Sequence, residues 1–279
     1  MGATVRLTGI SIYPIKSCGG IDLDEALLTH HGFEWDREWM LVDPHGQFLT
    51  QRSHPRMALI ATELCPKFLT VRAPGMPALQ IPLELNPDAP KLPATVWSHT
   101  TSARSEGQDA DAWFSAFLNS PARLVRWDPN QRRLSPSDWT QGIEAEARFA
   151  DAFPYLLISE ATLEDLNRRI PGGGSLLMNR FRPNLVVSGC DAGAEDLLPE
   201  ISDVSDEVQF LAVKPCTRCS ITNTDQSTAV VGVEPLKTLA GYRRDPRFKA
   251  PVLGQNLILL KGAGNRLRRG QEFELGRAD

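Results

Sequence analysis

The sequence has no stretch of about 18 consecutive apolar residues, which is the length that a membrane-spanning helix requires. The N-terminal segment MGATVRLTGISIYPIKS also lacks the charged region and the apolar core of a secretory signal peptide. The first absence argues against a membrane protein and the second against a secreted one. We therefore expect a soluble, cytoplasmic protein with no membrane partner.

The sequence also has few cysteines and no excess of positive charge. Five cysteines are scattered along 279 residues, and this odd number does not resemble the disulfide framework of a secreted protein, so we expect a reducing compartment. The formal net charge of -4 argues against a general nucleic-acid-binding protein. Basic residues cluster at 243–249 (RRDPRFK) and 266–269 (RLRR). Such clusters are usually solvated faces and less often a pocket for a small anion.

The two halves of the chain differ in composition. Histidine is absent after His99 and tryptophan is absent after Trp139. The length also exceeds that of a usual single domain. We predict two domains, residues 1–125 and residues 126–279.

Alternating apolar residues predict strands over Val5–Ile12 and Trp39–Val42 in the first half, and helical spacing predicts a helix over Asp109–Leu118. In the second half Ser159 is the expected N-cap of a helix that PGGGS (171–175) breaks. The other segments expected to be regular are strands over Phe153–Ile158, Asn184–Ser188, Val208–Val213 and, last, Asn256–Leu260, and a helix over Pro235–Tyr242. The pattern indicates a β-rich α/β protein in which short helices surround a barrel-like sheet.

The segment VKPCTRCSITNTD (213–225) holds Cys216 and Cys219, three positions apart with two residues between them. A zinc site would need two more ligands, and no second Cys-x-x-Cys pair or later histidine supplies them. A thioredoxin-like pair should open a helix, whereas this pair follows a strand. A nucleophilic cysteine needs a histidine, and every histidine is distant in sequence.

The remaining role for this cysteine pair is that one of its thiolates binds a soft metal centre, and that a larger cofactor carries this metal. Neighbouring cations would favour the thiolate and hold an anionic ligand; these are Lys214, Arg218, Arg243 and Arg244. For Cys219 the ordinary expectation is a small buried thiol. A zinc site and a redox pair stay open as alternatives at this point.

Several motifs are similar to those of a known family. The second half resembles the molybdenum cofactor sulfurase C-terminal (MOSC) domain in LLISEATLEDLNRR (156–169), FRPNLVVSGCDAGAED (181–196), KPCTRCSITNTD (214–225), EPLKTLAGYR (234–243) and LGQNL (253–257). The first half resembles the β-barrel partner domain of the mitochondrial amidoxime reducing component and its bacterial relatives in IYPIKSCGG (12–20), DREWMLVD (36–43) and QRSHPRM (51–57). The resemblance covers nearly the whole chain, in order.

The resemblance implies a β-barrel MOSC core with short helices and an N-terminal β-barrel domain. It also implies a molybdenum oxidoreductase that binds molybdopterin cofactor and reduces N-hydroxylated substrates such as amidoximes, N-hydroxylated bases and hydroxamic acids. The electrons would come from a separate protein, which could be ferredoxin-like, a flavoprotein or a b-type cytochrome. The alternative is a carrier of the cofactor, or of persulfide sulfur, without turnover; no pyridoxal-phosphate domain is expected.

The resemblance also assigns individual residues. Cys216 matches the molybdenum ligand, and Asp191 in SGCD is a candidate proton donor or substrate-positioning group. The residues that match cofactor-binding positions are Lys16, Ser17, Arg37, Ser159, Arg182 and Asn184, together with Asn256, where animal members carry an aromatic residue. Lysine and arginine suit a phosphate, and a serine at a helix start adds hydroxyl and backbone donors.

Overall fold

The computed structural model describes residues 3–197 and 199–276. Its α-helices are Gln108–Leu118 (α1), Ser137–Thr140 (α2), Glu160–Arg169 (α3) and Leu236–Tyr242 (α4). Its strands are Ala3–Ile12 (β1), Ile21–Leu23 (β2), Glu25–Thr29 (β3), Gly32–Phe33 (β4), Trp39–Val42 (β5), Ala61–Leu64 (β6), Phe68–Arg72 (β7), Leu79–Pro82 (β8), Lys91–Val96 (β9), His99–Ser105 (β10), Arg123–Trp127 (β11), Tyr155–Ser159 (β12), Leu185–Ser188 (β13), Glu200–Asp203 (β14), Gln209–Thr217 (β15), Arg244–Asp245 (β16), Ala250–Lys261 (β17), Arg266–Arg268 (β18) and Glu272–Leu275 (β19).

Seven strands close into a barrel in the order β12, β13, β1, β19, β14, β15 and β17. The barrel closes because β12 pairs with β13 on one side and with β17 on the other. The strand β1, from the start of the chain, lies between β13 and β19, and both pairings are antiparallel. The first strand therefore completes a barrel whose other strands all come from the second half.

The apolar pattern of β1 explains how it fits the barrel. Every second residue of β1 is buried, except that three positions separate Leu7 from Ile10. The buried side chains are Val5, Leu7, Ile10 and Ile12. A register shift between Leu7 and Gly9 falls at that step, so the bulge returns Ile10 to the barrel interior. At Gly9 a Cβ would lie 3.1 Å from the Cβ of Val186, which leaves little room for a side chain.

Strands β3 and β4 pack on the barrel core, whereas the later strands of the first half form smaller sheets outside the barrel. One sheet has the order β5, β11, β10, β9 and another has the order β6, β7, β8. Helix α1 buries Trp113, Phe114, Phe117 and Leu118 against a second core, as the helical spacing predicts. The predicted β-rich α/β class with short helices is confirmed. In the described part of the chain no helix is both long and apolar enough to cross a membrane.

Two sequence-based expectations about strands are wrong. The strand predicted over Val208–Val213 begins at Gln209 and continues to Thr217, so it includes Cys216. The strand over Asn256–Leu260 is not the last, because β18 and β19 follow and β19 pairs with β1. The domain boundary after residue 125 stays a prediction. Strand β1 precedes that boundary in sequence but belongs to the barrel in the structure.

Candidate functional site

A cavity of about 130 Å³ lies where loops of the first half meet one end of the barrel. We call it the cationic pocket. Seven of the nine predicted site residues line it, namely Lys16, Ser17, Arg37, Arg182, Asn184, Cys216 and Asn256. These residues come from five separate parts of the sequence, so only the fold brings them together.

Strands β15 and β17 place the thiol. Cys216 is the second-last residue of β15 and is half-buried. The pairing of β15 with β17 is irregular between Pro215 and Thr217, which leaves Cys216 outside the regular ladder. On β17, Asn256 lies opposite Lys214 and its amide donates to the Lys214 carbonyl at 3.0 Å. The irregularity directs the Cys216 side chain toward the cationic pocket.

Three pocket residues have a left-handed backbone. The φ angles are 66° at Ser17, 49° at Arg37 and 56° at Arg182. Non-glycine residues rarely adopt this region, and each instance costs on the order of 1–3 kcal/mol. Surrounding hydrogen bonds hold the loops, among them one from the Arg37 amide to the Tyr13 carbonyl at 3.0 Å. Strain of this kind concentrates at binding sites, where it aims side chains at a ligand.

Positive charge dominates the pocket. Its lining includes six basic residues, which are Lys16, Arg37, Arg52, Arg180, Arg182 and Arg218. Among the described residues that line it, Asp151 is the sole carboxylate. Some of these charges are paired or bonded to backbone carbonyls, as Arg180 is to Asp225 at 2.7 Å. The excess of cations nevertheless favours an anionic ligand.

Arg37 is hydrogen-bonded to both Asn184 and Arg182. The Arg37 guanidinium donates to Oδ1 of Asn184 at 3.0 Å and to the Arg182 carbonyl at 3.3 Å, and it also pairs with Asp36. Arg182 donates to the Cys18 carbonyl at 2.6 Å. Burial lowers the pKa of Arg182 to about 10, so it is still charged at neutral pH. The two arginines are therefore held as neighbouring fixed cations.

Lys16 and Asp151 form an ion pair at 2.6 Å, and Lys16 also donates to the Phe149 carbonyl at 2.8 Å. Burial lowers the pKa of Lys16, and the charge of Asp151 opposes that shift. Burial would raise the pKa of Asp151, but the charge of Lys16 and their hydrogen bond outweigh it and hold this pKa well below its usual range. Asp151 is thus ionised at neutral pH, and its charge favours the protonated form of Lys16.

The free thiol of Cys216 does not have the lowered pKa that its cationic neighbours suggested. Burial raises the pKa of Cys216, and the nearby charge of Arg218 opposes the shift without cancelling it. Arg218 is held by its bonds to the carbonyls of Leu253 and Phe181. Since the thiolate is disfavoured in the free protein, a bound metal ion would have to supply the stabilisation.

The expectation that Cys219 is buried is wrong. Cys219 is exposed and precedes a short 3₁₀ turn, Ser220–Asn223, so its side chain lies at the surface of the same pocket. Its sulfur lies 3.7 Å from a guanidinium nitrogen of Arg52. In the described residues no group of three or more His, Cys, Asp or Glu side chains is arranged to hold a metal ion.

Ser159 and Asp191 do not line the cationic pocket. Ser159 is fully buried as the N-cap of α3, where its oxygen accepts from the Thr162 amide at 3.1 Å and donates to Glu195 at 2.9 Å. Asp191 is exposed in the loop after β13. The assignment of these two residues to the site stays a prediction, with the Ser159 hydroxyl bonded at the helix start and Asp191 in an exposed loop outside the pocket lining.

We expect Ser159→Ala to weaken the fold and to leave cofactor binding intact. Loss of a serine N-cap costs about 0.5–2 kcal/mol, and Glu195 would also lose a hydrogen bond. Chemical denaturation should therefore show a lower free energy of unfolding, with an unchanged ratio of cofactor to folded protein. If the Ser159→Ala variant folded with full stability but lacked cofactor, that result would support the assignment of Ser159 to the cofactor site.

Sequence reasoning missed the loop at 148–153. Ala150, Asp151, Ala152 and Phe153 line the pocket. The loop is held by the buried Arg133, whose guanidinium donates to the carbonyls of Arg148, Ala150 and Asp151 at 2.7, 2.7 and 2.5 Å. A loop has no periodic pattern of apolar residues, so the sequence alone does not predict that this loop lines the pocket. Asp151 could have been suspected only from its position before a predicted strand.

A larger cavity of about 700 Å³ lies next to the cationic pocket and shares Arg182 with it. Its walls come from helix α3, through Glu160, Leu163 and Glu164, and from the segment that carries Leu59. The lining mixes apolar groups with exposed carboxylates and lacks the cationic character of the smaller pocket. The smaller cavity is therefore the better match to an anionic cofactor.

Comparisons with known proteins agree across both halves. Residues 4–121 match the MOSC N-terminal beta barrel domain, and residues 144–274 match the MOSC domain. Mitochondrial amidoxime-reducing component 1 of Mus musculus is 35% identical over 262 residues, which cover 89% of this chain and 76% of that protein. Mitochondrial amidoxime reducing component 2 of Rattus norvegicus is 36% identical over 253 residues, covering 86% and 73%. The chain therefore belongs to the MOSC family, with a MOSC N-terminal domain followed by a MOSC domain.

Proposed function

We propose that the chain binds molybdopterin cofactor in the cationic pocket and reduces N-hydroxylated compounds such as amidoximes, N-hydroxylated bases and hydroxamic acids. The observation that carries the proposal is the thiol of Cys216 facing a pocket with six basic lining residues. A soft thiolate ligand suits molybdenum, and the cations suit a phosphate. The names of the relatives, amidoxime reducing components, support the reaction class.

The residues present fit such a cofactor. When bound, the cofactor would supply the two-electron reduction, which no side chain of this pocket provides. Cys216 would ligate the metal; Lys16, Arg37 and Arg182 would pair with the phosphate; and Ser17, Asn184 and Asn256 would offer hydrogen bonds. The protein's own contribution is thus to place the cofactor and to balance its charge.

The proposal requires an electron donor, because the reduction consumes two electrons that the side chains lining the cationic pocket do not supply. We propose a separate ferredoxin-like protein, flavoprotein or b-type cytochrome, and neither a nucleic acid nor a membrane as partner. A cytoplasmic location stays a prediction, and the relatives named above are mitochondrial by name. Asp191 has no role in this proposal because of its place outside the pocket.

The test is turnover of benzamidoxime by purified, metal-loaded protein with an artificial electron donor. Formation of benzamidine in proportion to molybdenum content would support the reductase. Tight cofactor binding without any reduction would favour the carrier instead. Failure to retain molybdenum after expression in a molybdenum-sufficient host would contradict both functions.

Arg37→Ala and Arg182→Ala should each weaken cofactor retention. Loss of a hydrogen bond to a charged group costs about 1.5–3 kcal/mol, which is roughly tenfold or more in affinity. Molybdenum content at limiting cofactor measures the effect. Arg132→Ala is the matched control, since Arg132 pairs with Glu144 and Glu146 at the surface and does not line the pocket. Full occupancy in both pocket variants would show that the assigned contacts are wrong.

A further inference from the structure

Tyr13 lies immediately after β1 and is almost fully buried. Its ring packs against the guanidinium groups of Arg37 and Arg182, whose central carbons lie 4.5 and 4.2 Å from the ring centroid. Tyr13 does not itself line the cationic pocket, whereas both arginines do. The tyrosine therefore lies behind two of the cations that we assign to the cofactor phosphate.

The contact with the Tyr13 ring offsets the repulsion between Arg37 and Arg182. Two guanidinium groups held close together in a buried place repel each other, and Asp36 pairs with only one of them, Arg37. The negative face of an aromatic ring attracts a cation, most strongly where water is excluded. One ring in contact with both arginines thus allows them to stay neighbours before an anion arrives.

Hydrogen bonds fix the ring from both ends. The phenol donates to the Pro183 carbonyl at 3.1 Å, and Pro183 lies between Arg182 and Asn184 in sequence. The Tyr13 amide donates to Asp36 at 2.7 Å, the carboxylate that pairs with Arg37. Burial raises the pKa of Tyr13 to about 12, so the phenol keeps its proton at neutral pH. Each arginine is therefore connected to Tyr13 through the backbone as well as through the ring.

The neighbouring glycine leaves room for this ring. At Gly20 a Cβ atom would lie 2.5 Å from Cε1 of Tyr13, which is closer than real Cβ contacts. A side chain at this position would have to displace the ring. The motif IYPIKSCGG thus contains both Tyr13 and Gly20, the residue whose missing side chain leaves space for the Tyr13 ring.

We propose that Tyr13 is a positioning residue that sets the spacing and orientation of Arg37 and Arg182 for the anionic group of the cofactor. The inference rests on the proposed function, since it takes the cationic pocket to be the cofactor site. It adds a residue outside the pocket lining that determines how two of its cations are presented.

The experiment measures pyrophosphate binding by calorimetry to full-length protein from a host that cannot make the cofactor. Tyr13→Leu removes the ring contact and should weaken binding about tenfold, because the two arginines are no longer held in place before the anion binds. Tyr13→Phe keeps the ring and should lose about threefold or less. Tyr242→Leu is the matched control, because Tyr242 also stacks on an arginine, Arg169 at 4.3 Å, outside the pocket.

A double-mutant cycle separates positioning from general damage. If Tyr13 acts through Arg182, the loss caused by Tyr13→Leu should shrink to about threefold or less in an Arg182→Ala background. An unchanged tenfold loss there, equal loss in Tyr242→Leu, or unaltered binding by Tyr13→Leu would overturn the inference. Wild-type protein that binds pyrophosphate yet reduces no N-hydroxylated compound would refute only the proposed reaction. Wild-type protein that binds no pyrophosphate and retains no molybdenum would overturn the pocket assignment and the inference together.

Discussion

Cys216→Ala is expected to release the molybdenum cofactor and to abolish reduction of N-hydroxylated substrates. Changes in groups that merely support metal ligands already cost about 10–100-fold in affinity or activity. Loss of the ligand itself should exceed about a hundredfold, because the other thiol of the pocket lining, Cys219, is exposed and follows the strand instead of lying on it. Molybdenum content and the sulfur-to-molybdenum charge-transfer absorption are the measurements.

Cys219→Ala is the matched control for this prediction. Surface substitutions usually change stability by about 0.5 kcal/mol or less, so Cys219→Ala should keep its fold, its cofactor and most of its activity. Equal loss in both variants would point to a site that uses both thiols. Full activity in Cys216→Ala would contradict the assignment of the metal ligand.

Local patterns in the sequence predicted local structure well. The helix that carries Trp113 and Phe117 follows from apolar spacing, and the start of α3 follows from Ser159 as an N-cap. The same serine shows the limit of that reasoning. A serine at a helix start can bind a phosphate or satisfy the helix itself. In the structure the Ser159 hydroxyl donates a hydrogen bond to Glu195, which favours the second of these roles.

The cationic pocket was predicted through motifs and not through periodicity. Lys16, Arg182 and Cys216 are far apart in sequence, and nothing in their spacing shows that they meet. Their shared site depends on barrel closure and on left-handed turns at Ser17, Arg37 and Arg182, which non-glycine residues seldom adopt. The burial of Cys219 was wrong for a related reason, because its exposure depends on a turn that the sequence alone does not show.

Strand β1 could not be assigned to the barrel from the sequence because its partners are distant. Residues of β1 pair with Leu185–Ser188 and with Glu272–Leu275, and such long-range pairing leaves no local signal. The short strand β19 alternates as Glu-Phe-Glu-Leu, a pattern of only four residues that is weaker than the long apolar run of β17. The two halves are therefore more intertwined than their compositions suggest.

A chain of residues 126–279 is expected not to fold. It lacks β1, so β13 and β19 each lose a partner and the barrel opens. It also removes Val5, Leu7, Ile10 and Ile12 from the core. Burial of one such side chain contributes about 1.5–3 kcal/mol, so the four together approach the total stability of a typical domain, about 5–15 kcal/mol. Circular dichroism should show no cooperative thermal transition, and the fragment should hold no cofactor.

A circular permutant is the control for the fragment. Ala3 lies opposite Leu275 in the antiparallel pair of β1 and β19, so a short linker after residue 276 can lead directly into β1. Extending the chain through residues 3–34 also restores β3 and β4, whose Ala26, Leu28 and Phe33 belong to the barrel core. This permutant should recover a cooperative transition without the N-terminal sheets, although it lacks Arg37 and should bind the cofactor weakly. A cooperative transition in residues 126–279 alone, at the temperature of the full chain, would show that β1 is dispensable to the barrel.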